Sequence, residues 1–258
     1  MTNDGKVESR QLAEGSEKLD IFEYVYFARH DSKLYGQSVN EVRRRFGQQL
    51  AEEHGTLNDD TNNVIVVPVP DTSIPIAEGY AESQGLKLNQ AIIKNRYIGR
   101  TFMQPTPDMR ERQLRRKHNI ISEPIKGRDV ILIDDSIVRL NTIPNLVQRA
   151  YAIGAKSVSV LIGSPPVRFP DFYGIDTPNQ DELRAANMTI DQMRDSMHGP
   201  NGEKCKYLGF QSIQGMVEAT GLPAEMFNLS CFNGDYPIDI GPRNKANIRK
   251  PVSMEYAE

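Results

Sequence analysis

The sequence predicts an α/β chain with a doubly wound, mainly parallel sheet and helical additions toward its C-terminus. Two observations carry this prediction. Apolar, β-favouring runs at Val64–Val67, Val130–Ile133 and Val158–Ile162 alternate with stretches of helical periodicity. In addition, Val130-Ile131-Leu132-Ile133 passes directly into Asp134-Asp135-Ser136 and then a helical pattern. A buried parallel strand delivers polar groups to the carboxyl edge of an open sheet in this way.

The elements follow in order. Residues 1–18 lack apolar periodicity and read as a flexible leader. Val39 to His54 is an amphipathic helix, with Val39, Val42, Phe46 and Leu50 at near-helical spacing. The strand Val64–Val67 is closed by Pro68-Val69-Pro70-Asp71-Thr72-Ser73, before a helix from Ile74 to Gln84. Ala91-Ile92-Ile93 is a short strand, and a polar, basic stretch runs from Lys94 to Asn119. The strand Val130–Ile133, a helix over Asn145–Ala152 and the strand Val158–Ile162 complete the alternation. Beyond Pro165 the pattern turns helical at 181–187, 190–197 and 212–220, and residues 238–258 read as a loose tail.

Composition narrows the class. A length of 258 residues suits one large α/β domain or two small ones. A net charge of −3 gives no global electrostatic case for nucleic acid or an anionic membrane. No apolar run approaches the roughly 18 residues of a membrane span, and the start has no apolar signal core, so a cytoplasmic protein is expected. The two cysteines, Cys205 and Cys231, are too few and too far apart for a zinc or disulfide framework.

Three strand-edge features suit phosphate chemistry. Asp71, Thr72 and Ser73 precede a helix whose N–H groups can meet an anion, although taken alone Asp71 or Thr72 is better explained as an N-cap. Asp134 and Asp135 end a strand. Adjacent side chains there point to opposite faces, so the pair is not an acid–base couple on one atom but can grip different oxygens. The segment from Lys94 carries Arg96, Arg100, Arg110, Arg112, Arg115, Arg116 and Lys117. Its later part also reads as a solvated basic helix.

The run Asp134-Asp135-Ser136-Ile137-Val138-Arg139-Leu140-Asn141-Thr142 resembles the 5-phosphoribosyl 1-pyrophosphate (PRPP) signature of type I phosphoribosyltransferases. It is most similar to the glutamine PRPP amidotransferases, where it usually ends Arg-Gly-Thr-Thr. Three more segments are similar to that family: Phe22-Glu23-Tyr24-Val25-Tyr26-Phe27-Ala28-Arg29; Lys94 to Phe102 with Gln104-Pro105; and Phe172-Tyr173-Gly174-Ile175-Asp176. The resemblance covers the family's phosphoribosyltransferase half and implies the type I fold over residues 19–237.

By this resemblance, Asp71, Thr72 and Ser73 form the pyrophosphate loop. Thr72, Asp134 and Asp135 hold Mg²⁺, and the two carboxylates also grip the ribose and stabilise its cationic transition state. Arg139, Leu140, Asn141 and Thr142 wrap the 5′-phosphate and Ser136 is a further substrate contact, while Lys94, Arg96, Tyr97, Arg100 and Lys117 belong to a lid. The implied reaction displaces pyrophosphate from C1 of PRPP, or a close analogue, with ammonia or a small amine, giving a phosphoribosylamine-type product. A homo-oligomer in purine metabolism is implied, with no nucleic-acid or membrane partner.

The departures sharpen the expectation. No glutaminase half precedes the domain, so free ammonia or a separate glutaminase subunit is expected to supply nitrogen. The positions matching the cysteines that hold an iron–sulfur cluster in many relatives are Asp20, Asp171, Asn228 and Cys231, so no cluster is expected. Leu140 stands where the family has a glycine, and Asn141 replaces a hydroxyl donor. The alternative function is therefore a non-catalytic PRPP- or nucleotide-binding regulator or subunit of the same descent.

Overall fold

The apolar runs at Val64–Pro68 and Asp129–Asp134 become neighbouring parallel strands, and every residue in both is buried. The computed structural model describes residues 7, 9–10, 17–58, 60–95, 118–175 and 177–256.

In chain order, β1 (Leu19–Asp20) leads into a helical turn at Glu23–Phe27 and a small ribbon of β2 (Lys33–Leu34) and β3 (Gln37–Ser38). Helix α1 (Val39–His54) begins with the Ser38 hydroxyl accepting from the Glu41 N–H. Strand β4 (Val64–Pro68), helix α2 (Ile74–Gln84) and strand β5 (Lys87–Leu88) follow. Then come β6 (Ile92–Lys94), β7 (His118–Ile120), β8 (Asp129–Asp134), α3 (Thr142–Ala152) and β9 (Ser157–Ile162). The remainder comprises α4 (Arg184–Asn187), α5 (Ile190–Asp195), β10 (Tyr207–Phe210), α6 (Ile213–Thr220), β11 (Phe227–Asn228), α7 (Ser230–Asn233) and α8 (Gly241–Ala246).

The central sheet has the order β10-β9-β8-β4-β5, and all its pairings are parallel. Strand pleating divides the core in two. Val64, Val66, Ile131, Ile133 and Leu161 pack on one side with Val42, Phe46, Leu50, Ile76 and Tyr80 of α1 and α2. Ile65, Val67, Val130, Leu132, Val158, Val160 and Ile162 pack on the other with Leu146, Val147 and Ala150 of α3. Each fully buried Val, Leu or Ile contributes on the order of 1.5–3 kcal/mol, so both faces stabilise the sheet. Helices α1 and α2 approach closely at Gly47, where a Cβ would lie 1.8 Å from the Ile76 carbonyl oxygen.

The helices expected over 39–54 and 74–84 form with those bounds. The helix expected from Asn145 begins instead at Thr142, which brings its N-terminus to the end of the Asp-Asp turn. The expected strand Ala91–Ile93 runs Ile92–Lys94, and the far end of the polar stretch is strand β7, paired antiparallel with it. Beyond Pro165 the chain is not purely helical. β10 adds an edge strand to the sheet, because Tyr207–Phe210 is short enough to show no period of its own yet finds backbone partners along β9. The helical pattern at 181–187 divides into a 3₁₀ turn, Gln180–Glu182, and α4.

The tail lacks a periodic sequence pattern, yet it is tied to the domain. The Arg249 N–H donates to Gln180 Oε1 at 2.7 Å, Val252 N–H to the Ala186 carbonyl at 3.1 Å, and Arg168 to the Glu255 carbonyl. Among the described residues, no helix is long and apolar enough to cross a membrane.

Candidate active site

Strands β4 and β8 end side by side, and the loops that leave them share a cavity of about 720 Å³. The Val69 N–H bonds the Ile133 carbonyl at 2.8 Å, fastening the first loop to the second strand. The Pro70–Asp71 peptide bond is cis. Thr72 donates its hydroxyl to Asp135 Oδ2, and Ser136 donates to Asp135 Oδ1 at 2.6 Å. The Asp135 N–H donates to Asp134 Oδ1 at 2.9 Å. Both carboxylates are largely buried, at 8% and 7% exposure, and both border the cavity.

Asp134 is the last residue of β8 and Asp135 the first beyond it, and both border the cavity.

Lys94 Nζ donates to Asp71 Oδ2 at 2.9 Å, joining β6 to the β4 loop. Ser73 turns away: it is fully buried, donates its hydroxyl to the Val69 carbonyl and does not border the cavity. Arg139 borders it, but its guanidinium pairs with Glu182 Oε2 at 2.6 Å. Leu140 holds φ +53°, the left-handed conformation that favours glycine, and its side chain packs on the α3-side core cluster. Asn141 is the N-cap of α3 without a side-chain cap bond, so the first N–H groups of that helix have no cap from it at the cavity edge.

The structure thus gathers Asp71, Thr72, Lys94, Asp134, Asp135, Ser136, Arg139, Leu140, Asn141 and Thr142 around one cavity. Arg96, Tyr97, Arg100 and Lys117 lie outside the described residues. An aromatic wall of Phe22, Tyr26 and Phe27 also borders it, held by the buried Arg43. Arg43 donates to the Tyr24 carbonyl at 2.7 Å and the Ala28 carbonyl at 2.9 Å, clamping that turn to α1. Burial lowers the guanidinium pKa to about 10, against the pull of Asp135. His118 is a lining residue that the sequence alone did not single out. Its signal is the apolar alternation Ile92-x-Lys94 set against His118-x-Ile120, which becomes meaningful only once the two segments pair.

No family model matches the chain. Among curated proteins, the amidophosphoribosyltransferase of Synechococcus elongatus is 42% identical over 238 residues, covering 92% of this chain and 46% of that protein. A solved B. subtilis glutamine PRPP amidotransferase, complexed with ADP and GMP, superposes with a TM-score of 0.76 at 35% identity, over 90% of this chain and 49% of that one. A second structure, described as the allosteric regulatory enzyme of purine biosynthesis, gives 0.75 at 36% identity over 88% and 48%. The chain is a homologue of one half of the amidophosphoribosyltransferases. That half is the phosphoribosyltransferase half, and the fold is type I. The chain spans about half the length of the curated relatives it matches.

In the amidophosphoribosyltransferase frame, the four positions expected to match cluster ligands do converge. Asp20 and Asn228 are paired across β1 and β11, with Asn228 Nδ2 donating to Asp20 Oδ2 at 3.5 Å. Cys231 is buried close enough to Asp20 and Asp171 for both to raise its pKa further, after burial itself. Asp171 Oδ1 accepts from the N–H groups of Tyr173, Gly174 and Ile175. One thiol, one amide and two carboxylates do not fit an iron–sulfur cluster, and no step of the chemistry runs through one.

Proposed function

We propose that the chain displaces pyrophosphate from C1 of PRPP, or a close phosphosugar analogue, with ammonia or a small amine, giving a phosphoribosylamine-type product. The observation that carries this reading is the meeting of three features in one cavity: the Asp134-Asp135 edge of β8, the Asp71-Thr72 loop tied to Lys94, and the start of α3. The names of the relatives, amidophosphoribosyltransferase and PRPP amidotransferase, point to the same substrate.

Each part has a chemical task. The N-terminus of α3 and the 136–142 turn offer backbone N–H groups to a 5′-phosphate. Asp134 and Asp135 accept from ribose hydroxyls and place negative charge beside C1 as it becomes cationic. The α2 N-terminus and Lys94 receive the pyrophosphate. The C1–O bond breaks with its electron pair leaving on pyrophosphate; the amine lone pair forms the C1–N bond, and the surplus proton passes to solvent. Tyr26 and Phe27 present apolar area at the mouth, which helps keep water from the cation.

Magnesium fits these donors. Mg²⁺ is usually held by one or two carboxylates together with substrate oxygens rather than by an all-protein cage. Thr72, Asp134 and Asp135 would hold it, and among the described residues no group of three or more acidic, histidine or cysteine side chains forms a closed site. When bound, the ion supplies charge neutralisation for the leaving group. Ser73 contributes through its backbone in this reading. A cytoplasmic location, a homo-oligomer and a separate glutaminase partner belong to the same proposal.

The alternative is a non-catalytic PRPP- or nucleotide-binding regulator, and Leu140 is the observation in its favour. Its positive φ places a leucine in a conformation that favours glycine, so the turn carries a bulky side chain where a phosphate cradle needs close backbone approach. Calorimetric titration with PRPP, with and without Mg²⁺, is the test. Mg²⁺-dependent binding is expected, and absence of binding under both conditions would sink the proposal. Binding without pyrophosphate release on adding ammonium would favour the regulator.

A further inference from the structure

The β6–β7 ribbon borders the cavity beside the β4 loop, and its inward face changes character along its length. Ile92 stands opposite Ile120, both against the α3-side apolar cluster. Two residues further along, Lys94 stands opposite His118, whereas the intervening pair Ile93 and Asn119 is exposed on the other face. Directly opposite residues of an antiparallel pair share a face, with Cβ atoms about 4.5–5.5 Å apart. His118 therefore shares a face with Lys94, whose ammonium binds Asp71 of the loop at 2.9 Å. His118 is 4% exposed and borders the cavity. Its backbone carbonyl accepts from Arg149 Nη1 at 2.7 Å, which fixes this end of β7 against α3. A histidine used only for packing belongs with Ile92 and Ile120; this one stands where the ribbon turns from core to cavity.

On the reading that this cavity takes a pyrophosphorylated sugar, we propose that His118 is a further substrate contact: it donates a hydrogen bond to the pyrophosphate and takes up a proton from solvent as that group binds. Charged groups around it include Lys94 opposite it on β6, Asp71 of the β4 loop bound to Lys94, and Arg149 of α3, while Asp134 and Asp135 border the same cavity. A bound pyrophosphate brings negative charge to this face of the cavity and favours the charged imidazolium. The proton comes from bulk solvent and returns to it when pyrophosphate leaves. Lys94 and His118 then form a pair of donors on one ribbon, the first permanent and the second conditional on the anion.

NMR titration of the four histidines, with His118 assigned through its backbone, tests this directly. Saturating magnesium pyrophosphate should raise the His118 midpoint by about one unit. Calorimetry in buffers of different ionisation enthalpy gives a second readout. Wild type should take up more protons than His118→Gln, and the variant should bind pyrophosphate about tenfold more weakly near pH 6.5 but similarly near pH 8.5. An unmoved His118 midpoint, or equal proton uptake by two proteins that both bind pyrophosphate, would overturn the role of His118 and leave the pyrophosphate site standing. A wild type that binds neither pyrophosphate nor PRPP would overturn both. If His118→Gln fails to fold, the NMR midpoint of the wild type decides alone.

Discussion

Thr72 donates its hydroxyl to Asp135 across the gap between the β4 loop and the end of β8. Two segments more than sixty residues apart are joined at the point where the proposed Mg²⁺ would sit. The contact joins Thr72 and Asp135 in one hydrogen-bonded unit: the hydroxyl orients the carboxylate before any substrate arrives.

Asp134→Asn keeps the shape of the carboxylate and removes the charge that the proposed chemistry places beside both metal and oxocarbenium-like sugar. Turnover should fall roughly 100-fold, with Mg²⁺-dependent PRPP binding also weakened. Thr72→Val should lower Mg²⁺ affinity about tenfold through loss of the orienting bond. Steady-state pyrophosphate release across a Mg²⁺ series measures both, and wild-type rates in Asp134→Asn would remove the acid pair from the mechanism.

Leu140 occupies a left-handed position that costs a non-glycine residue roughly 1–2 kcal/mol. The double change Leu140→Gly with Asn141→Thr should free the backbone to close on the 5′-phosphate and add a hydroxyl donor. PRPP binding should strengthen by about 1–3 kcal/mol for regained charge-assisted hydrogen bonds. An unchanged dissociation constant would show that this turn does not limit phosphate binding.

Nitrogen should come from ammonia. Both thiols of this polypeptide are buried, and burial raises the pKa of Cys205 to about 11 and that of Cys231 well above its usual value. Neither is a nucleophile for glutamine at neutral pH. Pyrophosphate release should rise with pH as free ammonia increases and should not respond to glutamine. Robust glutamine-dependent release by the purified polypeptide would contradict this.

Asp20 supplies a pH dependence of stability. Burial is the main cause that raises its pKa from 3.8 to about 6, assisted by the neighbouring Asp171 and opposed by the Phe22 N–H bond. The folded state therefore holds this proton more tightly than the unfolded chain. The stabilisation is complete below about pH 4 and is lost as pH rises through about 6. Solvent screening reduces the cost of the ionised form at neutral pH to about 1–2 kcal/mol. Asp20→Asn, whose amide oxygen can still accept from Phe22, should raise stability at pH 7 by that amount and flatten the slope between pH 4 and 6. Urea denaturation at the two pH values checks it, and an identical slope in the variant would assign the dependence to another group.

The sequence by itself determined what depends on local periodicity. Helices α1 and α2 are bounded as their patterns require, because side chains three and four apart must share a buried stripe. The runs that became β4, β8 and β9 are apolar throughout because both faces of a parallel sheet are covered. The acid pair was legible as a candidate site because open α/β sheets bind ligands beyond the carboxyl ends of their strands, and both carboxylates border the cavity there.

Only the tertiary structure decided the rest, since it depends on partners distant in the chain. Tyr207–Phe210 is a strand because β9 supplies its backbone partners, and Gly209 in its middle sits where a Cβ would stand 2.9 Å from the Leu161 side chain. Asp135 borders the same cavity as Asp134 and meets Thr72 of the β4 loop there, and Ser73 leaves the cavity because its hydroxyl finds the Val69 carbonyl. His118 reached the site through the register of β6 with β7, a pairing across twenty-odd residues that no local pattern specifies. Hydrophobic period is a property of neighbours in sequence; register, strand order and the direction of a side chain at a strand end are set by backbone hydrogen bonds to residues far away.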